Sequence, residues 1–261
     1  MNTYLLVMNL PIELYQLILS KSDFLTQIRL CQANTEFQAK LEIHDFMNIG
    51  CKYYKRLTND ILQLHPFITK LDTRFNTKIT NIESMMRLVE LNIWDHKEIT
   101  NLNCLTRLEK LWVGGLCGVN DEGIINLTNL KKITAYGNPR ITNLNHMTQL
   151  EYLNVGDACC GIGDAGIYNL TSLTELNASS NKRITNVNHM ARLEILYADW
   201  DCGINTSGIS QLRLKRLIAE KNFKITKPKI LNMEFDTSPF YPILPSIPKK
   251  KYVCHTYSPK S

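Results

Sequence analysis

From Ile68 onward the chain repeats one apolar pattern. Its heads fall at Ile68, Leu88, Leu108, Leu130, Leu150, Leu173, Leu193 and Leu214, spaced 20, 20, 22, 20, 23, 20 and 21 residues apart. Counting each head as position 1, position 4 is Leu71, Leu91, Leu111, Ile133, Leu153, Leu176, Leu196 or Leu217. Position 6 is Thr73, Ile93, Val113, Ala135, Val155, Ala178, Ala198 or Ala219, and positions 3, 5 and 7 are largely polar or aromatic. An inward set at 4 and 6 against an outward set at 3, 5 and 7 is the period-2 signature of a strand with one buried face. A further apolar position follows about eleven residues after each head: Ile79, Ile99, Val119, Ile141, Ile162, Ile184, Ile204 and Ile225. One such unit cannot bury these side chains alone, whereas stacked units share a continuous core.

A double period overlies the first. Short units read Asn-x-x-Ile-Thr-Asn-x-Asn-His-Met, as in Asn138–Met147 and Asn181–Met190. Long units read Cys-Gly-x-x-x-x-Gly-Ile, as in Cys117–Ile124, Cys160–Ile167 and Cys202–Ile209, and predict a short helical return with an acidic residue at its start. The short units predict a tighter turn or 3₁₀ segment. Eight copies headed Leu-x-x-Leu-x-apolar resemble the leucine-rich-repeat family over about Ile68 to Lys227. The resemblance implies an α/β solenoid: a curved parallel sheet over residues 67–227, with short helices or turns on the convex side. It also gives Asn76, Asn138, Asn181 and Asn222 the place of a stacked Asn ladder at the ninth position. There a side-chain amide satisfies backbone groups left open where the chain leaves the strand.

The N-terminal part follows another pattern. Pro11 suits the first turn of a helix, and Leu14, Leu17 and Ile18 give it an apolar face. A second apolar stretch runs from Ile28 to Phe37. Leu10-Pro11-Ile12-Glu13-Leu14, then Ile18-Leu19-Ser20, then Asp23-Phe24-Leu25 resemble the F-box, with a shorter inter-helix segment and no Trp after the second helix. The resemblance implies an F-box-like cap over residues 8–46 that binds a Skp-type adaptor through Leu10, Pro11, Glu13, Leu14, Ile18, Leu19, Phe24, Leu25 and Ile28. The alternative is a cap that only closes the end of the solenoid. Residues 47–66 read as a helical connector ended by Pro66.

On the concave side the register places Trp94, Lys110, Trp112, Lys132, Tyr136, Tyr152 and Tyr197. Trp94, Trp112 and Tyr136 are expected to form an exposed aromatic cluster flanked by Lys110 and Lys132, the composition of a protein-binding hot spot. The alternative is that these aromatics pack over one another or under the tail.

Composition narrows the reading. The chain has 35 Leu and 25 Asn in 261 residues, and the repeat register accounts for most of both. Eight Cys in a mid-sized chain without an evident signal peptide point to a reducing compartment. Cys117, Cys160 and Cys202 occupy one interior corner two repeats apart, about 10 Å, too far to share a metal or a disulfide. His146 and His189 recur with the turn motif and read as structural. No nucleophile–base set, phosphate loop or dinucleotide fingerprint is present, so neither an enzyme nor a cofactor is expected. Apolar runs are too short for a membrane span. Of the net charge of +6, half comes from a Pro/Lys-rich tail at 228–261, expected to be extended or disordered. The rest forms no basic stripe for nucleic acid. The richness in Asn, Ile and Lys resembles F-box repeat proteins of large DNA viruses and protists. The F-box and leucine-rich-repeat resemblances together imply an intracellular substrate-recognition subunit of a cullin–RING ubiquitin ligase. The alternative is a repeat-based binding module unconnected to ubiquitin.

Overall fold

The computed structural model describes residues 11–33, 35–47, 49, 56–74 and 76–226. Position Leu10 and the tail at 228–261 lie outside these. Among the described residues nine short strands form one sheet: β1 (Asp45–Phe46), β2 (Lys70–Asp72), β3 (Glu90–Asn92), β4 (Lys110–Trp112), β5 (Lys132–Thr134), β6 (Tyr152–Asn154), β7 (Glu175–Asn177), β8 (Ile195–Tyr197) and β9 (Arg216–Ile218). They lie side by side in sequence order. Every neighbouring pair is parallel and in register, so position 4 of each repeat sits beside position 4 of the next, as Leu71 beside Leu91 and Leu91 beside Leu111. The eight repeat heads, the eight position-4 residues and Ile79 through Ile204 are buried in a single core that runs the length of the solenoid. Ile225, in the last turn, is only partly buried.

Strand β1 lies at the end of the segment 8–46 expected as the F-box-like cap and begins the sheet one unit before Ile68. Ile43 and Phe46 occupy positions 1 and 4 of a ninth unit, and Phe46 pairs with Leu71. Its return, between Ile43 and Ile68, is longer than the others. Among the described residues of 47–66 the helix is only five residues long, α4 (Asn59–Gln63), capped by the Thr58 hydroxyl. Among the described residues three helices stand ahead of β1: α1 (Ile12–Lys21), α2 (Phe24–Cys31) and α3 (Thr35–Lys40). Among the described residues no helix is long and apolar enough to cross a membrane.

The ladder at the strand exits is wider than its Asn members. Asn76, His96, Cys117, Asn138, Cys160, Asn181, Cys202 and Asn222 are all buried in consecutive turns. Asn138 Nδ2 donates to Val113 O at 2.8 Å, Asn181 Nδ2 to Val155 O at 2.9 Å and Asn222 Nδ2 to Ala198 O at 2.9 Å. Cys160 Sγ reaches the corresponding carbonyl, Ala135 O, at 3.7 Å. Burial pushes the Cys117, Cys160 and Cys202 thiols up to about 11, so they act as small, neutral core groups.

His96 is the one titratable base in this ladder. Its Nε2 lies 3.1 Å from Asn76 O and its Nδ1 3.4 Å from Ile99 N, which fits a neutral ring donating through Nε2 and accepting at Nδ1. Burial lowers its pKa below the ordinary value, against the opposing pull of the Asn76 carbonyl. The unfolded chain therefore takes up this proton first on acidification. Stability from His96 is present above pH about 6.5 and is lost as pH falls below it. His96→Asn, which copies the residue at the same position of the neighbouring short units, should keep the fold and flatten the pH dependence of the urea midpoint between pH 7 and 5, leaving the slope that half-buried His65 and the raised carboxyls of Glu175 and Asp199 supply. An unchanged slope would show that His96 is not the group responsible.

The two return types fit one another. Each long return presses two glycines against the short turn before it. A Cβ at Gly123, Gly166 or Gly208 would collide with the carbonyl oxygen of Thr100, Thr142 or Thr185. A Cβ at Gly118 would strike Lys97 O, and one at Gly161 or Gly203 would crowd Pro139 O or Lys182 O. The close approach is hydrogen-bonded from both sides: Gly161 N donates to Asn138 O at 3.0 Å, and Leu144 N to Gly166 O at 2.8 Å. The long returns carry a 3₁₀ turn at Glu122–Ile124, a single helical turn α5 (Asp164–Ile167) and a 3₁₀ turn at Ser207–Ile209. Asp121 and Asp164 each accept from the next Thr-Asn pair, at Thr142–Asn143 and Thr185–Asn186. Asn145 and Asn188 donate to Ala165 O and Ser207 O, and His146 and His189 each meet the carbonyl of Ile124 or Ile167 at 3.1 Å. The recurring Asn and His of the short units thus tie adjacent turns together.

Position 8 adds a further column. Asp95, Gly115, Gly137, Asp157, Ser180, Trp200 and Lys221 all have positive φ, between 56° and 88°. This left-handed residue turns the chain out of the sheet, which suits Gly and Asp and strains larger side chains.

Candidate protein-binding surfaces

The first surface is the outer side of α1. Tyr15 and Leu19 point inward and are buried, with the Tyr15 ring 4.3 Å from that of Phe37. Gln16 clamps the helix to the start of the solenoid: its Nε2 donates to Glu42 O at 2.8 Å and its Oε1 accepts from Glu42 N at 3.0 Å. This anchoring turns Leu14, Leu17 and Ile18 outward, 42 %, 56 % and 43 % exposed. Pro11 and Glu13 lie exposed at the same end. Leu25 is half-buried, and Ile28 packs against the core on α2. Asp23 caps α2, accepting from Leu25 N and Thr26 N, and the Thr26 hydroxyl with these amides holds its carboxyl below the usual range. The structure thus separates the residues expected to meet an adaptor. Leu14 and Ile18 are presented, whereas Leu19 is a core residue whose side chain secures the helix. Leu17, absent from the expected set, is the most exposed of the three apolar side chains.

The second surface is the concave face. Its outer row begins with alternating charge: Lys70 Nζ lies 3.9 Å from Asp45 and 3.4 Å from Glu90, and Lys110 Nζ 2.9 Å from Glu90. Burial pushes the Glu90 carboxyl up, but the Lys110 hydrogen bond and the two lysine charges outweigh it and hold it below its ordinary value. Lys110 is therefore committed within this row.

The expected exposed aromatic cluster is corrected at its centre. Trp94 is only 4 % exposed. Its ring lies over Gly114, where any Cβ would run into it, and stacks on Tyr136 with centroids 5.9 Å apart and planes 25° apart. Tyr136 in turn lies along Gly156, whose Cβ would sit 3.2 Å from the ring. Position 7 therefore alternates aromatic and glycine, Trp94–Gly114–Tyr136–Gly156, and the glycines let the rings lie flat. The Trp94 Nε1 donor finds no hydrogen-bond partner, and Tyr197 is buried as well. What remains accessible is half-buried Trp112, Tyr136 and Tyr152, with Lys132 exposed on β5. Burial first, and then the Glu175 charge, raise the Tyr152 pKa, so its hydroxyl stays neutral.

No protein-family model matches this chain, and no curated protein matches it. Solved structures do. An internalin from Listeria monocytogenes is 23 % identical, over 59 % of this chain and 49 % of its own, with a TM-score of 0.46. The functional domain of InlJ from the same bacterium, which includes a cysteine ladder, is 20 % identical over 75 % of this chain and 47 % of its own, also at 0.46. Rad7, solved in complex with Elc1 in yeast, is 18 % identical over 77 % of this chain and 63 % of its own, with a TM-score of 0.51. The chain thus spans about half the length of the two Listeria proteins and less than two thirds of Rad7. The likeness is one of fold. With the in-register parallel sheet and its ladder, it makes this protein a leucine-rich-repeat solenoid, an architecture whose extended concave face serves protein partners.

Proposed function

We propose that the protein is a substrate-recognition subunit of a cullin–RING ubiquitin ligase. The outer face of α1 would dock on a Skp-type adaptor, and the concave face around Trp112, Lys132 and Tyr152 would hold a protein target. The chain would catalyse nothing and act inside the cell by proximity, keeping a target lysine near a charged conjugating enzyme. One observation carries this reading. A helix that served only to close the solenoid would turn its apolar side chains inward, yet α1 leaves Leu14, Leu17 and Ile18 in water beside the F-box-like sequence. Rad7, the neighbour solved with Elc1, offers a repeat protein found with a second protein.

Titration of the full chain with a purified Skp-type adaptor tests it. Wild-type protein should bind. Leu14→Asp and Ile18→Asp should each weaken binding by a factor of about thirty or more, with unchanged thermal melts because both side chains are exposed. A wild-type chain that does not bind the adaptor would overturn the reading. The clamp of Gln16 on Glu42 and the inward Tyr15 and Leu19 favour the second reading in that case: a binding module unconnected to ubiquitin, whose helices serve as a cap.

A further inference from the structure

We propose that the segment Glu234-Phe235-Asp236 docks on an aromatic and lysine platform at the C-terminal end of the solenoid. The platform consists of Trp200, Phe223, Lys182 and Lys221 around an open depression of about 460 Å³, completed by Ser180 and Asp201. Trp200 is 51 % exposed and Phe223 92 %, an apolar pair left in water where the described turns end. Lys221 Nζ sits over the Trp200 ring, 4.0 Å from its centroid. Both residues are held with left-handed backbone, φ 58° and 59°, by the same turn geometry that Gly or Asp fills elsewhere in the column. A bulky side chain kept in that conformation with half its surface left in water is strained, and such strain is retained where the side chain has something to bind.

The occupant follows from charge and tether. Lys182 pairs with Asp201 at 3.2 Å and Lys221 with Glu220 at 4.0 Å, exposed pairs that a competing carboxylate displaces at little cost. Beyond Thr226 the chain has only two acidic residues, Glu234 and Asp236, and they flank Phe235. One aromatic ring between two carboxylates matches two rings beside two ammonium groups. Phe235 is the ninth residue after Thr226, enough chain to span about 30 Å and return to a platform that begins at Phe223. The tether makes the contact intramolecular, at an effective concentration of about millimolar. The inference is independent of adaptor binding by α1.

Hydroxyl-radical footprinting of the full chain, read by mass spectrometry, tests it. Trp200 and Phe223 should oxidise several-fold more slowly, relative to their rates in urea, than Tyr168 on the convex side. Phe235→Ala, which alters no repeat, should remove that protection. Lys182→Glu with Lys221→Glu should do the same, and adding Glu234→Lys with Asp236→Lys should restore it. The protection should persist on dilution. Oxidation rates unaffected by Phe235→Ala overturn the proposal, as does protection that vanishes on dilution, which would assign the platform to a second copy of the chain.

Discussion

Asn181→Leu is expected to lower the unfolding free energy by about 3–5 kcal/mol, measured by urea denaturation followed by circular dichroism. Leucine has the same branched shape and the same number of side-chain heavy atoms as asparagine and is the bulkier of the two, so a cavity is not the cause. Asn181 Nδ2 donates to Val155 O at 2.9 Å and to Ile162 O at 3.1 Å, and its Oδ1 accepts from Arg183 N at 2.9 Å. Leucine strips partners from two buried carbonyls, Val155 O and Ile162 O, and from the part-buried Arg183 N, and each buried orphan costs about 1–3 kcal/mol. For a protein whose whole stability is about 5–15 kcal/mol the loss is large. Asn186 supplies the control. It is exposed, and its Oδ1 accepts from Asn188 N at 3.0 Å. Asn186→Ala should cost less than about 1 kcal/mol. Equal losses at the two sites would mean that the ladder does not hold the turns together.

Gly166→Ala should cost about 3 kcal/mol, more than an alanine at a glycine with positive φ. The new methyl would land on Thr142 O, a main-chain atom with no rotamer to change, and the Leu144 N bond to Gly166 O keeps the two turns together. Gly137 has φ +64°, and a Cβ there would meet nothing closer than 3.6 Å. Gly137→Ala should therefore cost only the left-handed backbone penalty, about 1 kcal/mol. The two midpoints, compared in one denaturation series, separate steric from conformational need for glycine. A Gly137 variant less stable than the Gly166 variant would reverse the assignment.

The strands from β2 to β9 were legible because their period-2 alternation recurs in register, and burial at positions 1 and 4 followed from it. Strand β1 escaped because its unit has Phe46 where the others have Leu or Ile, and a return too long for the period. His96 stood in plain view eight residues after Leu88, yet a histidine among asparagines reads as a break in the ladder until its two hydrogen bonds are seen. The burial of Trp94 depended on Gly114 in the following unit, a contact across repeats that no single-repeat alternation encodes. On α1, spacing alone groups Leu14, Leu17, Ile18 and Leu19. Only the Gln16 clamp fixes the rotation that sends Leu19 inward and the other three outward.

The column of left-handed residues grades the molecule along its axis. A solenoid turn touches only its neighbours, so an end turn opens without disturbing the middle. The column starts with Asp95, Gly115, Gly137 and Asp157, for which this backbone comes easily, and finishes with Ser180, Trp200 and Lys221. Each of the last three adds about 1–2 kcal/mol of local strain. The N-terminal turns, meanwhile, are stapled by α1 through Gln16. The array should consequently fray from its C-terminal turns inward, leaving the central concave surface and α1 ordered while the far described turns breathe.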